Sequence, residues 1–200
     1  MRKLFVLILA IAPMLLSAQD FNVGFRGGFN LGNYQGEDNG GNYKFAGYAG
    51  AMLTYNISDI ASLQTEINYS MQGFRDHVDG ESVSVALDYI TVPLLIQFTL
   101  RNFEQFKFSL GPQIGYLVRK HEDPEDLYRM SPEMEFSMGA HGDTYEDFDY
   151  GATLGMEYEI NDQFYIQARY YHGISKLFNE DAIDSDAKNR AFSLGIAYRL

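Results

Sequence analysis

The chain has 200 residues, a formal charge of −12 and no cysteine, so composition excludes disulfides, thiolate metal sites and a cysteine nucleophile. The acidic excess argues against binding nucleic acid through its phosphates. Fifteen Tyr, fifteen Phe and nineteen Gly without a Trp fit a β-protein with closely approaching backbones better than a helical bundle.

At the amino end Arg2 and Lys3 precede an apolar run from Leu4 to Leu16, followed by the small residues Ser17 and Ala18. That is the layout of a secretory signal, with cleavage expected after Ala18 and a mature chain from Gln19. The run is shorter than the ~20 apolar residues of a spanning helix. With no cysteine near the cut, a lipid anchor is excluded. Residues 1–18 therefore read as a signal peptide and 19–200 as one domain. No later segment reads as a transmembrane helix; the most apolar stretch, Ile90 to Leu100, is interrupted by Thr91, Pro93, Gln97 and Thr99.

Period-two alternation predicts eight strands: Phe21 to Leu31, Lys44 to Tyr55, Ala61 to Phe74, Val85 to Leu100, Phe106 to Val118, Tyr150 to Ile160, Phe164 to Ser175, and Arg190 to Leu200. Each is long enough for a tilted strand to cross a bilayer, which takes ~9–11 residues. In the third, Leu63, Thr65, Ile67, Tyr69 and Met71 oppose Gln64, Glu66, Asn68, Ser70 and Gln72. In the fourth, Pro93 cannot donate to a ladder and predicts a local bulge, which would account for a slip of faces between Asp88 and Val92. In the eighth, Phe192, Leu194, Ile196, Tyr198 and Leu200 oppose Ser193, Gly195, Ala197 and Arg199. An amphipathic strand reaching the last residue is expected to close the structure by pairing with the first strand and the seventh.

The connections alternate in length. Asn56 to Ile60, Arg101 to Gln105 and Asn161 to Asp162 are short; Gly32 to Tyr43, Arg75 to Ser84, Arg119 to Asp149 and Lys176 to Asn189 are long. This predicts an all-β fold, an eight-stranded antiparallel up-and-down transmembrane β-barrel with tight periplasmic turns and long, acidic extracellular loops. A lipocalin-like barrel has the same strand count but an apolar interior. Here the polar faces collect Arg26, Glu66, Lys107, Glu157, Arg169 and Arg199 beside many glycines, while the apolar faces form continuous bands that would aggregate in water. A β-sandwich does not account for the regular inequality of the two ends.

The inward charges suggest a ladder in which Glu66, Glu157 and Glu159 pair with Arg26, Arg169 and Arg199, with Lys107 on the same face. Eight strands leave an interior that side chains can fill, whereas wide aqueous channels take about 16, so packing is expected over conduction. A lipid A-modifying site would need a serine, a histidine and an acidic orienter, for which His172, Ser175 and Asp149 are the candidates. Their spacing is not that of lipid A deacylases, and no catalytic residue is assigned. The loop carboxylates Glu122, Asp123, Glu125, Asp126, Asp143, Glu146, Asp147 and Asp149 lack the regular spacing of a calcium loop, and His121 and His141 do not make a zinc motif. No metal or other cofactor is expected. Tyr55, Phe103, Phe106, Phe164 and Tyr198 at one end, and Phe45, Phe74, Tyr116 and Tyr150 at the other, suit interfacial girdles.

Tyr89-Ile90-Thr91-Val92-Pro93-Leu94-Leu95, Gly111-Pro112, Phe148-Asp149-Tyr150-Gly151 and Arg169-Tyr170-Tyr171-His172-Gly173-Ile174 occur in this order along the chain. In them the chain resembles the PorT-like outer-membrane β-barrel family of Bacteroidetes, and Ser17-Ala18-Gln19 is typical of signal endings in that phylum. The resemblance implies an eight-stranded barrel exported to the outer membrane and contacting its lipid. It also implies that the barrel assembly machinery recognises the terminal strand during biogenesis. It implies no single activity: the founding member belongs to the type IX secretion system, and fold alone does not carry that role. The expected protein is non-enzymatic, with a structural or interaction role through its extracellular loops. A secretion-system subunit, a narrow pore and a lipid A-modifying enzyme are the alternatives.

Overall fold

The structure, a computed structural model, describes residues 21–35, 42–78, 81–121, 145–178 and 186–200, with side chains described except at 75–78, 81–84 and 121. The expected signal peptide lies outside the described residues. Eight strands are present: β1 (Phe21–Gln35), β2 (Asn42–Ser58), β3 (Ala61–Val78), β4 (Glu81–Leu100), β5 (Phe103–His121), β6 (Phe148–Glu159), β7 (Phe164–Gly173) and β8 (Lys188–Arg199). All pair antiparallel with their chain neighbours, and β8 pairs with β1 to close the barrel. The start of β1 and the end of β8 meet at the turn side, where the amide of Leu200 donates to the carbonyl of Val23 at 2.9 Å.

Alternation decides what each face meets. Outward rows expose Phe25, Phe29, Ile67, Leu94, Ile96, Phe98, Leu110, Ile114, Leu154, Leu194 and Ile196. Inward rows bury Arg26, Asn30, Gln64, Glu66, Asn68, Gln97, Thr153, Glu157, Gln167, Arg169 and Arg199. This is the reverse of a soluble barrel and the distribution that a lipid solvent selects. Ring pairs collect near the turn side, where Phe21–Tyr55, Phe106–Tyr158 and Phe164–Tyr198 have centroids 4.8, 5.0 and 5.1 Å apart. Phe29–Phe45 and Tyr116–Phe148 form the other belt, at 4.8 and 5.1 Å. Seam closure depends on Gly28, which lies opposite Gly195; a Cβ there would strike the carbonyl of Leu194 and the Cα of Gly195.

Four expectations are corrected. The connection predicted as a long loop from Arg75 to Ser84 is mostly ladder, since β3 and β4 stay paired to Val78↔Glu81 with only Asp79 and Gly80 between them. Asp-Gly is a dipeptide of two-residue hairpins, so the continuation has a local cause. The bulge is not at Pro93, which faces inward, is fully buried and pairs in register with Gln113. The β4–β5 register instead shifts between Asp88 and Tyr89. Towards β3 the pairing passes from Thr65↔Leu94 to Asn68↔Thr91 without a shift, and the Thr65 hydroxyl donates to the Pro93 carbonyl at 3.1 Å. The missing N–H leaves a gap in the ladder without inserting a residue. Phe74 is not a girdle residue; it follows Gly73, whose φ of 126° favours glycine, and is buried inside the barrel. Finally, β7 stops at Gly173, short of Ser175, and β8 stops at Arg199.

Candidate functional site in the barrel interior

Five inward side chains from five strands make one connected chain of charges. Glu66 on β3 is paired with Arg26 on β1 and, through Oε1, with Arg169 Nη1 on β7 at 2.7 Å. Arg169 Nη2 continues to Glu157 Oε1 on β6 at 3.2 Å, and Glu157 Oε2 pairs with Arg199 Nη2 on β8 at 2.7 Å. Both glutamate side chains are fully removed from solvent. Burying such charges is costly unless every one is paired and hydrogen-bonded. The remaining acceptor capacity is met accordingly: Gln97 and Gln167 donate to Glu157 at 2.9 and 2.8 Å, and Asn68 donates to Glu66 at 3.0 Å. Two guanidinium groups also lie over tyrosine rings, Arg26 on Tyr48 at 4.6 Å and Arg199 on Tyr165 at 4.0 Å.

The other two expected members sit apart. Glu159 does not join the arginines; it accepts from Lys107 at 3.0 Å near the turn-side mouth, where both side chains keep part of their solvent contact. That mouth is an open polar vestibule of about 920 Å³, lined by Asn22, Thr54, Ser62, Lys107, Glu159 and Arg199 among others.

Above the charged layer, a cavity of only about 30 Å³ separates Arg26 and Arg169 from a second polar layer. In that layer Ser193 donates to Asn30 at 2.7 Å, and Asn30 donates to Ser70 at 2.9 Å. Gln72 donates to Ser70 at 3.0 Å, while the Asn189 amide reaches both Gln72 and Asp149 at 2.9 Å. Higher still, Phe74, Val85, Leu87, Tyr89, Leu117, Tyr145, Leu177 and Phe178 form an apolar cluster inside the loop-side end. Sequence reasoning had not singled out Asn30, Asn189 or this cluster. The inward parity of β3 and β4 already carried the signal for Phe74 and Leu87.

The serine–histidine–acid candidates are not assembled. Ser175 donates directly to Asp149 Oδ1 at 2.8 Å and accepts from the amide of Tyr150 at 3.0 Å. His172 is on the outward face of β7, with Nδ1 3.4 Å from the Tyr170 hydroxyl. Among the described residues no group of three His, Asp or Glu could hold a metal ion. Glu122, Asp123, Glu125, Asp126, Asp143 and His141 lie outside the described residues, as does the side chain of His121.

Comparison with known proteins agrees with this geometry. A comparison with the curated proteins found no match. Among solved structures, Neisserial surface protein A aligns over 91% of this chain and 97% of its own, with 14% identity and a TM-score of 0.53, a likeness of fold. Ail, the attachment invasion locus protein of Yersinia pestis, solved with the heparin analogue sucrose octasulfate, covers 91% of this chain and 100% of its own at 14% identity and TM-score 0.49. OprG of Pseudomonas aeruginosa covers 92% and 97% at 11% identity and TM-score 0.49. The model of the family described as outer membrane protein beta-barrel domain matches residues 17–179. With its lipid-facing apolar exterior and ion-paired interior, the chain belongs to that family and is an integral β-barrel of the outer membrane.

Proposed function

We propose that the protein is an occluded, non-enzymatic barrel of the PorT-like kind that presents its long loops to an extracellular partner. One observation carries this reading: the charged layer, the second polar layer and the apolar cluster succeed one another along the axis, with a cavity of about 30 Å³ between the first two. A solute path would have to break buried ion pairs and then cross an apolar cluster. The separation of His172 from the Ser175–Asp149 pair favours a non-enzymatic role over lipid A modification. Export through a signal cleaved after Ala18, recognition of β8 by the assembly machinery, and the loop side facing outward complete the reading. A secretion-system subunit is one form that the partner interaction could take.

Crosslinking in intact cells tests it. A photoreactive residue placed between His121 and Tyr145 should capture a specific neighbour, and replacing that segment with a short Gly-Ser turn should abolish capture while the barrel remains folded. Capture from positions on the turn side, with none from the loops, would contradict the reading.

A further inference from the structure

The lipid-facing row of β8 runs Tyr198, Ile196, Leu194, Phe192 and then changes character at Arg190 and Lys188. Tyr198 belongs to the turn-side aromatic belt through its pair with Phe164. At about 3.3 Å per residue and a tilt of about 40°, Arg190 stands about 20 Å further along the membrane normal. That is close to the outer limit of an apolar band about 25 Å tall. Arg190 pairs in register with His172 on β7 and with Asn33 on β1, so it crosses the closing seam. It lines an outward groove of about 310 Å³ whose walls are Leu31, Tyr43, Tyr170 and Phe192. All four of these side chains are exposed although apolar or aromatic. The Arg190 Nε is buried without a hydrogen-bond partner, and neither Arg190 nor Lys188 forms an ion pair among the described residues. In a chain of charge −12, Arg190 in the groove wall and Lys188 two residues before it on the same face, neither in an ion pair among the described residues, complement an amphiphile with an anionic head.

We propose that this groove binds one phosphorylated lipid of the outer leaflet. Its phosphate sits on Arg190 and Lys188 beside His172, and an acyl chain lies along Leu31, Tyr43, Tyr170 and Phe192. A guanidinium fork matches phosphate geometry, and the groove supplies the apolar contact that a free anion would not use. The proposal rests on the outward orientation of the loop side. Binding to the purified barrel is independent of that orientation, which protease access to loops in intact cells tests separately.

The experiment is native mass spectrometry of the full-length protein in detergent with monophosphoryl lipid A. The wild type should retain one lipid per barrel, and Lys188→Gln/Arg190→Gln, checked as folded by heat-modifiable mobility, should retain it about tenfold more weakly. On the wild type, which needs no variant to fold, dephosphorylated lipid A should not be retained and inorganic phosphate should not displace the phosphorylated lipid. Equal retention of phosphorylated and dephosphorylated lipid, equal retention by the double variant, or displacement by inorganic phosphate would each overturn the site.

Discussion

Glu66 and Glu157 each serve two arginines and Arg169 serves both carboxylates, so the interior depends on these three groups more than on Arg26 or Arg199. Glu66→Gln leaves Arg26 and Arg169 buried with a neutral acceptor, a change that costs about 3–5 kcal/mol when one member of a buried pair is lost. Urea unfolding of the folded barrel in detergent should show that loss. The same change at Glu159, whose pair with Lys107 keeps solvent contact, should cost no more than about 1 kcal/mol. Equal effects at the two sites would mean that the central chain is not what holds the interior. Alternation made the inward position of all seven charged residues legible. It could not say which would pair: Glu159 lines the same vestibule as Arg199 but is paired with Lys107, while Arg199 turns to Glu157. A second residue-scale test is Gly28→Val: the added side chain meets backbone at the seam, so the heat-modifiable band should be lost.

At the scale of elements, β8 has two neighbours, β7 and β1, and its hydrogen bonds to β1 are the closure itself. Removing Tyr198–Leu200 deletes one ring of the turn-side belt, the Arg199 partner of Glu157 and the Leu200–Val23 backbone bond. The outer-membrane fraction should fall much further with that deletion than with a Gly-Ser replacement between His121 and Tyr145; the reverse order would count against β8 as the assembly signal. Strand number, order and facing were readable because a lipid-facing row must be apolar over its whole length. Strand ends were not, since β3 and β4 stay paired to Val78↔Glu81 although the sequence from Arg75 to Ser84 is mainly polar. Asp79-Gly80 carried the hairpin signal, but the polar residues around it looked like a loop. Pro93 misled because a missing donor can leave a gap in the ladder without a bulge, while its carbonyl still accepts from the Thr65 hydroxyl.

For the whole molecule, five strands are long and three are short, from 20 residues in β4 to 10 in β7. Phe74, Leu87 and Tyr89 of the tall side meet Tyr145, Leu177 and Phe178 from beside β6 and β7 in the apolar cluster. The barrel thus has a polar centre, where eight strands leave only side-chain width, and an apolar end on the loop side. Sequence made the outer-membrane class readable through the apolar rows, but the apolar end depends on residues from separate strands and the Tyr145–Phe178 bridge, which no single-strand pattern reveals. The most direct measurement is single-channel recording of the purified full-length protein in a planar bilayer. An occluded interior predicts no steady unitary conductance in the wild type. A stable, reproducible conductance from the wild type would contradict the occluded barrel.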